Sequence, residues 1–588
     1  MMMNRNVAAA AVAAVVASSA LATMPVLAEG IRFVPQPGME IGGFWGEKLD
    51  LLEKNWLPHC GDELLRAPTR GAMRCNLIEA LCLALERHPG DRRLRKLLAT
   101  CVERELASQQ KDGYVGSTEP RYTNLDSHEF YLHGYFLEAA ARYTDFTRGE
   151  DRRFFEAGCR LAEHLDATFG PPPKRTWTDG HPGLEKALLT FADTVRRYGD
   201  ASAAARYERL SQYFIRHQHD IPELRRDYAQ SHIPAVDMKD AVAHAVRATY
   251  FYAGMTGVGR RCGDAELAAA AIRLFESAID RKSYITGGFG SKWEWEAFDA
   301  DYELPNTRGY LEGCASCGMY DWCTEMTMAH GPLKSEAVRE RLMYNLLLGV
   351  FDREFRHYSY PNPPNGVSQR FAWHTIPCCV ANVPRVLEDY KNRMWAVSDD
   401  GKTLYLCHFI DSRRGEATVN GVKVRLDVRT DYPESGRVMV SFKAEKPVDF
   451  KMKVRFPDRA ESALYTAKPS VWSGLKEYPV SIRRSKPANI RFELPMPLQR
   501  VTCDERVAAN RGLVAWQKGP VVFAWEGDGF STRVPYHQRQ NAGGASFVWK
   551  PADGSQPDAT LVDVPWPCGK PVRDDGSLVP SAKLIKGL

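Results

Sequence analysis

The chain has 588 residues, 44% of them hydrophobic and 26% charged, the balance of a soluble globular protein of two to four domains rather than a disordered or fibrous one. Its formal charge of +5 is the small difference between 78 basic and 73 acidic residues, and no basic stripe with interleaved aromatics accompanies it, which argues against nucleic acid as a partner. Thirteen Trp and 24 Tyr suit a surface that stacks sugars, but large cores use the same residues.

Residues 1–28 read as an export leader. Arg5 supplies the positive start, Val7 to Val16 the apolar stretch, and Val26-Leu27-Ala28 a small-residue cleavage site, with a second possible cut after Ala22. The apolar run is too short and Ala-rich for a membrane span, and no later stretch approaches one. A periplasmic or secreted protein is expected. Fourteen cysteines in an exported chain ordinarily imply disulfides, yet Cys75, Cys82, Cys101 and Cys159 stand singly in apolar helical sequence, where Cys acts as a small hydrophobe. Only Cys314, Cys317, Cys323, Cys378 and Cys379 cluster. A metal ion would keep such a cluster reduced outside the cytoplasm.

Helical periodicity then dominates. It covers Asn76 to Arg87, Arg93 to Gln110, His128 to Tyr143, Phe154 to Phe169, Gly183 to Tyr198, Ser202 to His217, Lys239 to Thr256 and Asp264 to Asp280. Met319 to Met328, Ser335 to Leu348 and Asn382 to Trp395 continue it. Helix after helix joined by loops of Gly, Pro, Asp and His predicts stacked antiparallel pairs, and twelve such helices close into an (α/α)6 barrel with a cleft at one end. After about residue 400 the pattern alternates with the strand period, as in TLYLCHFI, ATVNGVKVRLDVRTDY, GRVMVSFKAE and DFKMKVRF, which predicts one or two β-sandwiches. The expected division is therefore leader 1–28, helical catalytic domain 29–398, β-sandwich 399–500, and a second sandwich or completing strands over 501–588. Residues 541–588, rich in Gly, Pro and Asp, are expected to be mostly coil.

Two short pieces carry chemistry. Glu312 and Cys314, two residues apart, together with the doublet Cys378-Cys379 offer one carboxylate and three thiols, a set that suits tetrahedral zinc. Glu294 and Glu296 lie just upstream as proton donors. From spacing alone, a purely structural metal site, or buried free cysteines with no metal, is favoured over a catalytic one. The ordered blocks GGFWGE, HEFYLHGYFLEAA, GHPGLEKALL, QSHIPAVDMKDAVAHAVRATYFYAGM, GGFGSKWEWEAFDADYELPN, EGCASCGM, CCVANVPR and KGPVVFAWEG decide between them. Together they resemble glycoside hydrolase family 127, typified by β-L-arabinofuranosidases, over nearly the whole mature chain.

The resemblance implies a retaining mechanism in which a zinc-bound cysteine is the nucleophile and a glutamate the acid/base. Position by position, Cys378 matches the nucleophile, Cys379, Cys314 and Glu312 the remaining zinc ligands, and Glu296 the acid/base, with Glu294 as runner-up. His128, His181 and His244 match sugar contacts. It implies exo action on a terminal β-L-arabinofuranosyl or related pentose-like sugar of arabinose-containing or pectic plant cell-wall glycans, and leaves the oligomeric state open. A non-catalytic carbohydrate-binding protein with a structural zinc site is the alternative. The chain departs from the family at Val380 and Ala381, where Pro-Pro is usual, at Gly313, where Thr is usual, and in the tryptophans Trp293 and Trp295 before the acid. These changes spare the ligands but remodel the cleft wall.

Overall fold

A computed structural model of the chain describes residues 30–551 apart from 67–70, 368–369, 375, 458–472, 484–485, 528–544 and 548–549. The expected leader and most of the expected C-terminal coil lie outside the described residues. The helical part comprises α1 (Gly43–Leu51), α2 (Leu57–Arg66), α3 (Gly71–Arg87), α4 (Arg92–Ala107), α5 (Glu129–Phe146), α6 (Arg153–Thr168) and α7 (Leu184–Tyr198). It continues through α8 (Ala201–His217), α9 (Ala245–Cys262), α10 (Ala265–Arg281), α11 (Gly313–His330), α12 (Lys334–Leu342) and α13 (Cys378–Asp389).

Two kinds of helix alternate along the chain. In α4 the buried residues are Leu94, Leu97, Leu98, Cys101, Val102 and Glu105, a single stripe at helical spacing. In α9 every residue from Ala245 to Gly259 is buried, so that helix has neighbours on all sides. The all-round buried helices pack in a closed cycle: α3 on α5, α5 on α7, α7 on α9, α9 on α11, α11 on α13, and α13 back on α3. The striped helices α4, α6, α8 and α10 lie against the outside of α3, α5, α7 and α9. Small residues permit the closest approaches. A Cβ at Gly318 of α11 would stand 2.2 Å from the Thr249 hydroxyl of α9.

The two largest sheets have five strands each, beside four smaller ones among the described residues. One runs in the order Ile31–Phe33, Trp395–Ser398, Thr403–Leu406, Val448–Pro457, Ser473–Ile482, and the other Ala488–Glu493, Arg437–Ala444, Val422–Thr430, Ser412–Val419, Glu40–Ile41. In the second, register pairs Leu426 with Phe442 and Val428 with Val440, so alternate residues face one buried side. Residues 30–41, expected within the helical unit, instead contribute a strand to each sheet. A pairing partner some 360 residues away leaves no mark in local periodicity. Four cysteines expected to be buried hydrophobes behave so in part: Cys75, Cys82 and Cys101 are buried and Cys159 is half-buried, and the described cysteines are free thiols. Among the described residues no helix is long and apolar enough to cross a membrane.

Helices and sheets share one continuous apolar core, and a buried polar relay crosses their junction. The Tyr390 hydroxyl donates to His408 Nδ1 (2.8 Å), which leaves His408 Nε2–H to donate to Glu336 of α12 (2.5 Å). Arg339, one turn along, donates to the same carboxylate at 2.8 Å. Burial pushes the Glu336 carboxyl up, but the Arg339 charge and His408 outweigh it and carry it from 4.5 down to about 2. Because the folded value lies below the unfolded one, this stabilisation is complete above about pH 4.5 and is lost as pH falls toward 2. Glu336→Gln is expected to cost about 3–5 kcal/mol of unfolding free energy at neutral pH, read by denaturant titration, since it leaves Arg339 buried without its partner. The gap between wild type and variant should narrow on acidification below pH 4.5; a constant gap contradicts the assignment.

Candidate active site

Two neighbouring helices of the cycle, α11 and α13, begin at the same end of the molecule, and their first turns carry the cluster. Glu312 caps α11 and Cys314 lies in its first turn, while Cys378 and Cys379 open α13 after Pro377. Helix N-termini carry positive partial charge, which favours thiolates there. Both helices start earlier than apolar periodicity predicts, at Gly313 rather than Met319 and at Cys378 rather than Asn382, because Gly-Cys-Ala-Ser-Cys-Gly and Cys-Cys carry no apolar stripe. A Cβ at Gly313 would meet Val383 Cγ2 at 3.1 Å and the Tyr358 hydroxyl at 3.2 Å, so this chain's glycine matches the packing beneath the cluster. Leu311, just before the cap, sits at φ +45°, a left-handed conformation that turns Glu312 toward the cysteines.

The donor atoms of Glu312, Cys314, Cys378 and Cys379 all lie within 4.8 Å of one another. Glu312 Oε1 is 3.5 Å from Cys378 Sγ and 3.4 Å from Cys379 Sγ, and the two sulfurs are 3.6 Å apart. Glu312 Oε2 is buried with no hydrogen-bond partner. A buried carboxylate with one oxygen among the cysteine sulfurs and the other without a partner fits a metal ion that accepts both donor types. The thiols are not equivalent. Hydrogen bonds from Cys314 and Cys379, joined by Tyr360 and Glu312, hold Cys378 well below the ordinary thiol value despite its burial, whereas burial pushes Cys314 and Cys379 well above it. The Tyr360 hydroxyl is 3.0 Å from both Cys378 Sγ and Glu312 Oε1. Beneath them, Asn382 donates to Cys314 Sγ (3.4 Å) and to the Tyr250 hydroxyl (2.7 Å). Arg385 fixes that amide by donating to its oxygen (2.8 Å) and is itself tied to Asp321 (3.1 Å).

Glu296 arrives from a different element. Strands Ala243–His244 and Ala297–Phe298 pair with His244 opposite Ala297, which sets His244 beside Glu296. Lys292 and Ala297 exchange backbone hydrogen bonds of 2.9 and 3.0 Å, closing a tight loop over Trp293 to Glu296. Trp295 (φ +63°) and Glu296 (φ +53°) are consecutive left-handed residues, a conformation that costs on the order of 1–3 kcal/mol at each bulky position. The His244 ring accepts the Arg247 N–H at Nδ1 (3.3 Å), so Nε2–H donates to Glu296 Oε2 (3.1 Å), and the Tyr310 hydroxyl donates to Oε1 (2.8 Å). Burial pushes the Glu296 carboxyl up, but those hydrogen bonds outweigh it and hold the group below its ordinary value. Glu294 turns outward and faces Arg308 at 3.5 Å, away from His244.

The three histidines predicted to contact sugar also converge. The rings of His128 and His181 are 5.0 Å apart, and those of His181 and His244 6.1 Å. Tyr131 packs on His181 at 4.3 Å. Burial lowers both His128 and His181, more strongly the latter, leaving neutral rings that can donate and accept. Tyr310 and Tyr360 were not singled out by the sequence. Tyr310 precedes Glu312 by two residues and was accessible in principle; Tyr360 lies in a Ser-Tyr-Pro-Asn loop with no spacing relation to any ligand. Asp50, Glu53 and His88 form a second group of metal-type donors, but Arg87 already donates to Asp50 (2.8 Å) and to Glu53.

Residues 46–392 match the family model described as β-L-arabinofuranosidase, GH127 catalytic domain. The chain is 30% identical over 501 residues to the non-reducing end β-L-arabinofuranosidase of Bifidobacterium longum subsp. longum, covering 76% of this chain and 74% of that protein. Among solved structures it is similar to a GH127 β-L-arabinofuranosidase from Geobacillus stearothermophilus T6, with TM-score 0.73, 26% identity and coverage of 83% and 86%. The GH127 β-arabinofuranosidase BT3674 shares the fold at TM-score 0.76 and 24% identity, with coverage of 85% and 86%. The chain belongs to glycoside hydrolase family 127 and is a glycoside hydrolase.

Proposed function

We propose that this enzyme removes a non-reducing terminal β-L-arabinofuranosyl, or closely related pentose-like, residue from arabinose-containing or pectic plant cell-wall glycans with retention of configuration. One observation carries the reading: a Glu312/Cys314/Cys378/Cys379 cluster whose one part-exposed thiol is Cys378, in a family 127 chain whose Glu296 is held separately by His244 and Tyr310. Glu312, Cys314, Cys378 and Cys379 would hold the ion, and three sulfurs with one carboxylate favour zinc. Zinc bound there keeps the three thiols as thiolates at neutral pH and protects them from oxidation.

In the first half-reaction Cys378 sulfur attacks the anomeric carbon as the glycosidic C–O bond breaks, and Glu296 gives a proton to the departing oxygen. In the second, water attacks that carbon, Glu296 takes its proton, and Cys378 leaves as thiolate. The resting Glu296 is the ionised form that the second step needs. When incoming sugar displaces its contact with Tyr310 or His244, burial dominates and the carboxyl rises toward the protonated form that the first step needs. His128, His181 and His244 bind sugar hydroxyls. The closed helical cycle supports an (α/α)6 barrel with the site at the end where α11 and α13 begin. We assign the helical unit, residues 43–394, to catalysis and the described sheets that flank it to buttressing it. Residues 1–28 direct the protein to the periplasm or exterior.

On a chromogenic β-L-arabinofuranoside, Cys378→Ser and Glu296→Gln are each expected to lower kcat/KM by at least about a hundredfold while the protein stays folded. A loss below tenfold in either variant contradicts its role. Elemental analysis should find one zinc per chain, and Cys379→Ser should lower both zinc content and melting temperature; a fully active, zinc-free wild type contradicts the metal assignment.

A further inference from the structure

We infer that the loop carrying Trp293 and Trp295 forms the leaving-group subsite of this enzyme, with the Trp295 indole as the wall that receives the sugar ring next to the bond being cleaved. The inference rests on Glu296 being the acid/base. An acid that protonates the departing oxygen must stand beside it, so the leaving group lies against the loop that carries Glu296. That loop has only four residues between its closing hydrogen bonds, and two of them are tryptophans.

Both indoles are unusually open, Trp293 at 44% and Trp295 at 72% exposure, among few large apolar side chains so placed in the described chain. They are nonetheless tied to the catalytic groups. Trp293 meets the Tyr310 ring edge-on at 5.1 Å, and Tyr310 donates to Glu296. Trp295 meets Tyr228 edge-on at 5.7 Å, and Tyr228 meets His244 at 5.1 Å. Edge contacts steady the indoles without covering them. Trp295 adopts its left-handed backbone although glycine would adopt it without strain, so the position gains something from the side chain that offsets that cost. Beside Trp295 opens a cleft of about 500 Å³, lined also by Asp227, Tyr228, Lys292, Glu294 and Asp299. An aromatic wall with acidic and basic side chains along a cleft is the chemistry that binds a carbohydrate ring: the indole covers its C–H face and the charged groups take its hydroxyls. The occupant is thus a glycosyl leaving group rather than an alkyl or amino-acid one.

The test compares methyl β-L-arabinofuranoside, whose leaving group is too small to reach the wall, with a β-L-arabinofuranosyl disaccharide. Trp295→Ala is expected to raise KM for the disaccharide about tenfold with little change in kcat, the value of one lost aromatic contact, and Trp295→Phe to recover part of it. Turnover of the methyl glycoside should stay within about twofold. Equal losses on both substrates would mean that the loop only positions Glu296 and would overturn the inference, as would no loss on either. If the wild type hydrolyses neither substrate, the proposed reaction fails separately. Calorimetric titration with the same disaccharide then decides the subsite: tenfold weaker binding by Trp295→Ala supports it, and absent or unchanged binding overturns it.

Discussion

Bringing one carboxylate and three thiols within 4.8 Å of each other, largely out of water, is the constraint on which the rest of the molecule depends. Like charges packed this way repel, and burial penalises each ionised form. Hydrogen bonds from its neighbours favour the thiolate at Cys378, while burial disfavours it at Cys314 and Cys379. Positive potential and hydrogen-bond donors are directed at that spot. Two helix N-termini converge on it, Asn382 and Tyr360 aim donors at sulfur, and Arg385 braces the amide from below.

Glu296, the proposed acid/base, is positioned by separate means. Cluster ligands sit at helix starts, where backbone geometry is regular and rigid, whereas Glu296 sits on a strained four-residue loop stapled to His244 by a two-residue strand pair. Under the proposed mechanism, rigidity for Cys378 and a shorter, strained mount for Glu296 suit the tasks of nucleophile and proton carrier. Sulfur must stay among its neighbours, while the carboxyl must exchange hydrogen bonds as charge moves between water, sugar and protein. The joint Tyr390–His408–Glu336–Arg339 relay, far from this chemistry, ties the helical cycle to the sheets so that α11 and α12 have a fixed backing.

Much of this was legible in the sequence, and what was not has identifiable causes. Helical period located α3 through α10 because their apolar residues recur at regular spacing, and alternation located the central strands for the same reason. The Glu-x-Cys and Cys-Cys pairs stood out as a candidate metal-binding set because thiols and carboxylates are chemically conspicuous, and the structure brings their four donors together. Periodicity failed at the starts of α11 and α13, where the residues that matter are small or sulfur-bearing and give no apolar stripe. It also failed for Ile31–Phe33 and Glu40–Ile41, whose partners lie hundreds of residues away. The resemblance put Glu296 first and Glu294 second, and spacing alone says nothing about a left-handed turn; the pairing of His244 with Ala297 is what sets Glu296 beside His244. Tyr360 could not have been found at all, because only topology brings its hydroxyl to Cys378.

The central claim is that Cys378, and no carboxylate, takes the sugar. Acid quenching of the enzyme during turnover of an activated β-L-arabinofuranoside, followed by peptide mapping by mass spectrometry, tests it most directly. The account predicts a pentosyl adduct on the peptide containing Cys378, localised to that sulfur and enriched in Glu296→Gln, where water attack is slowed. An adduct on Glu296 or Glu312, or a first-formed product of inverted configuration with no adduct, would contradict it.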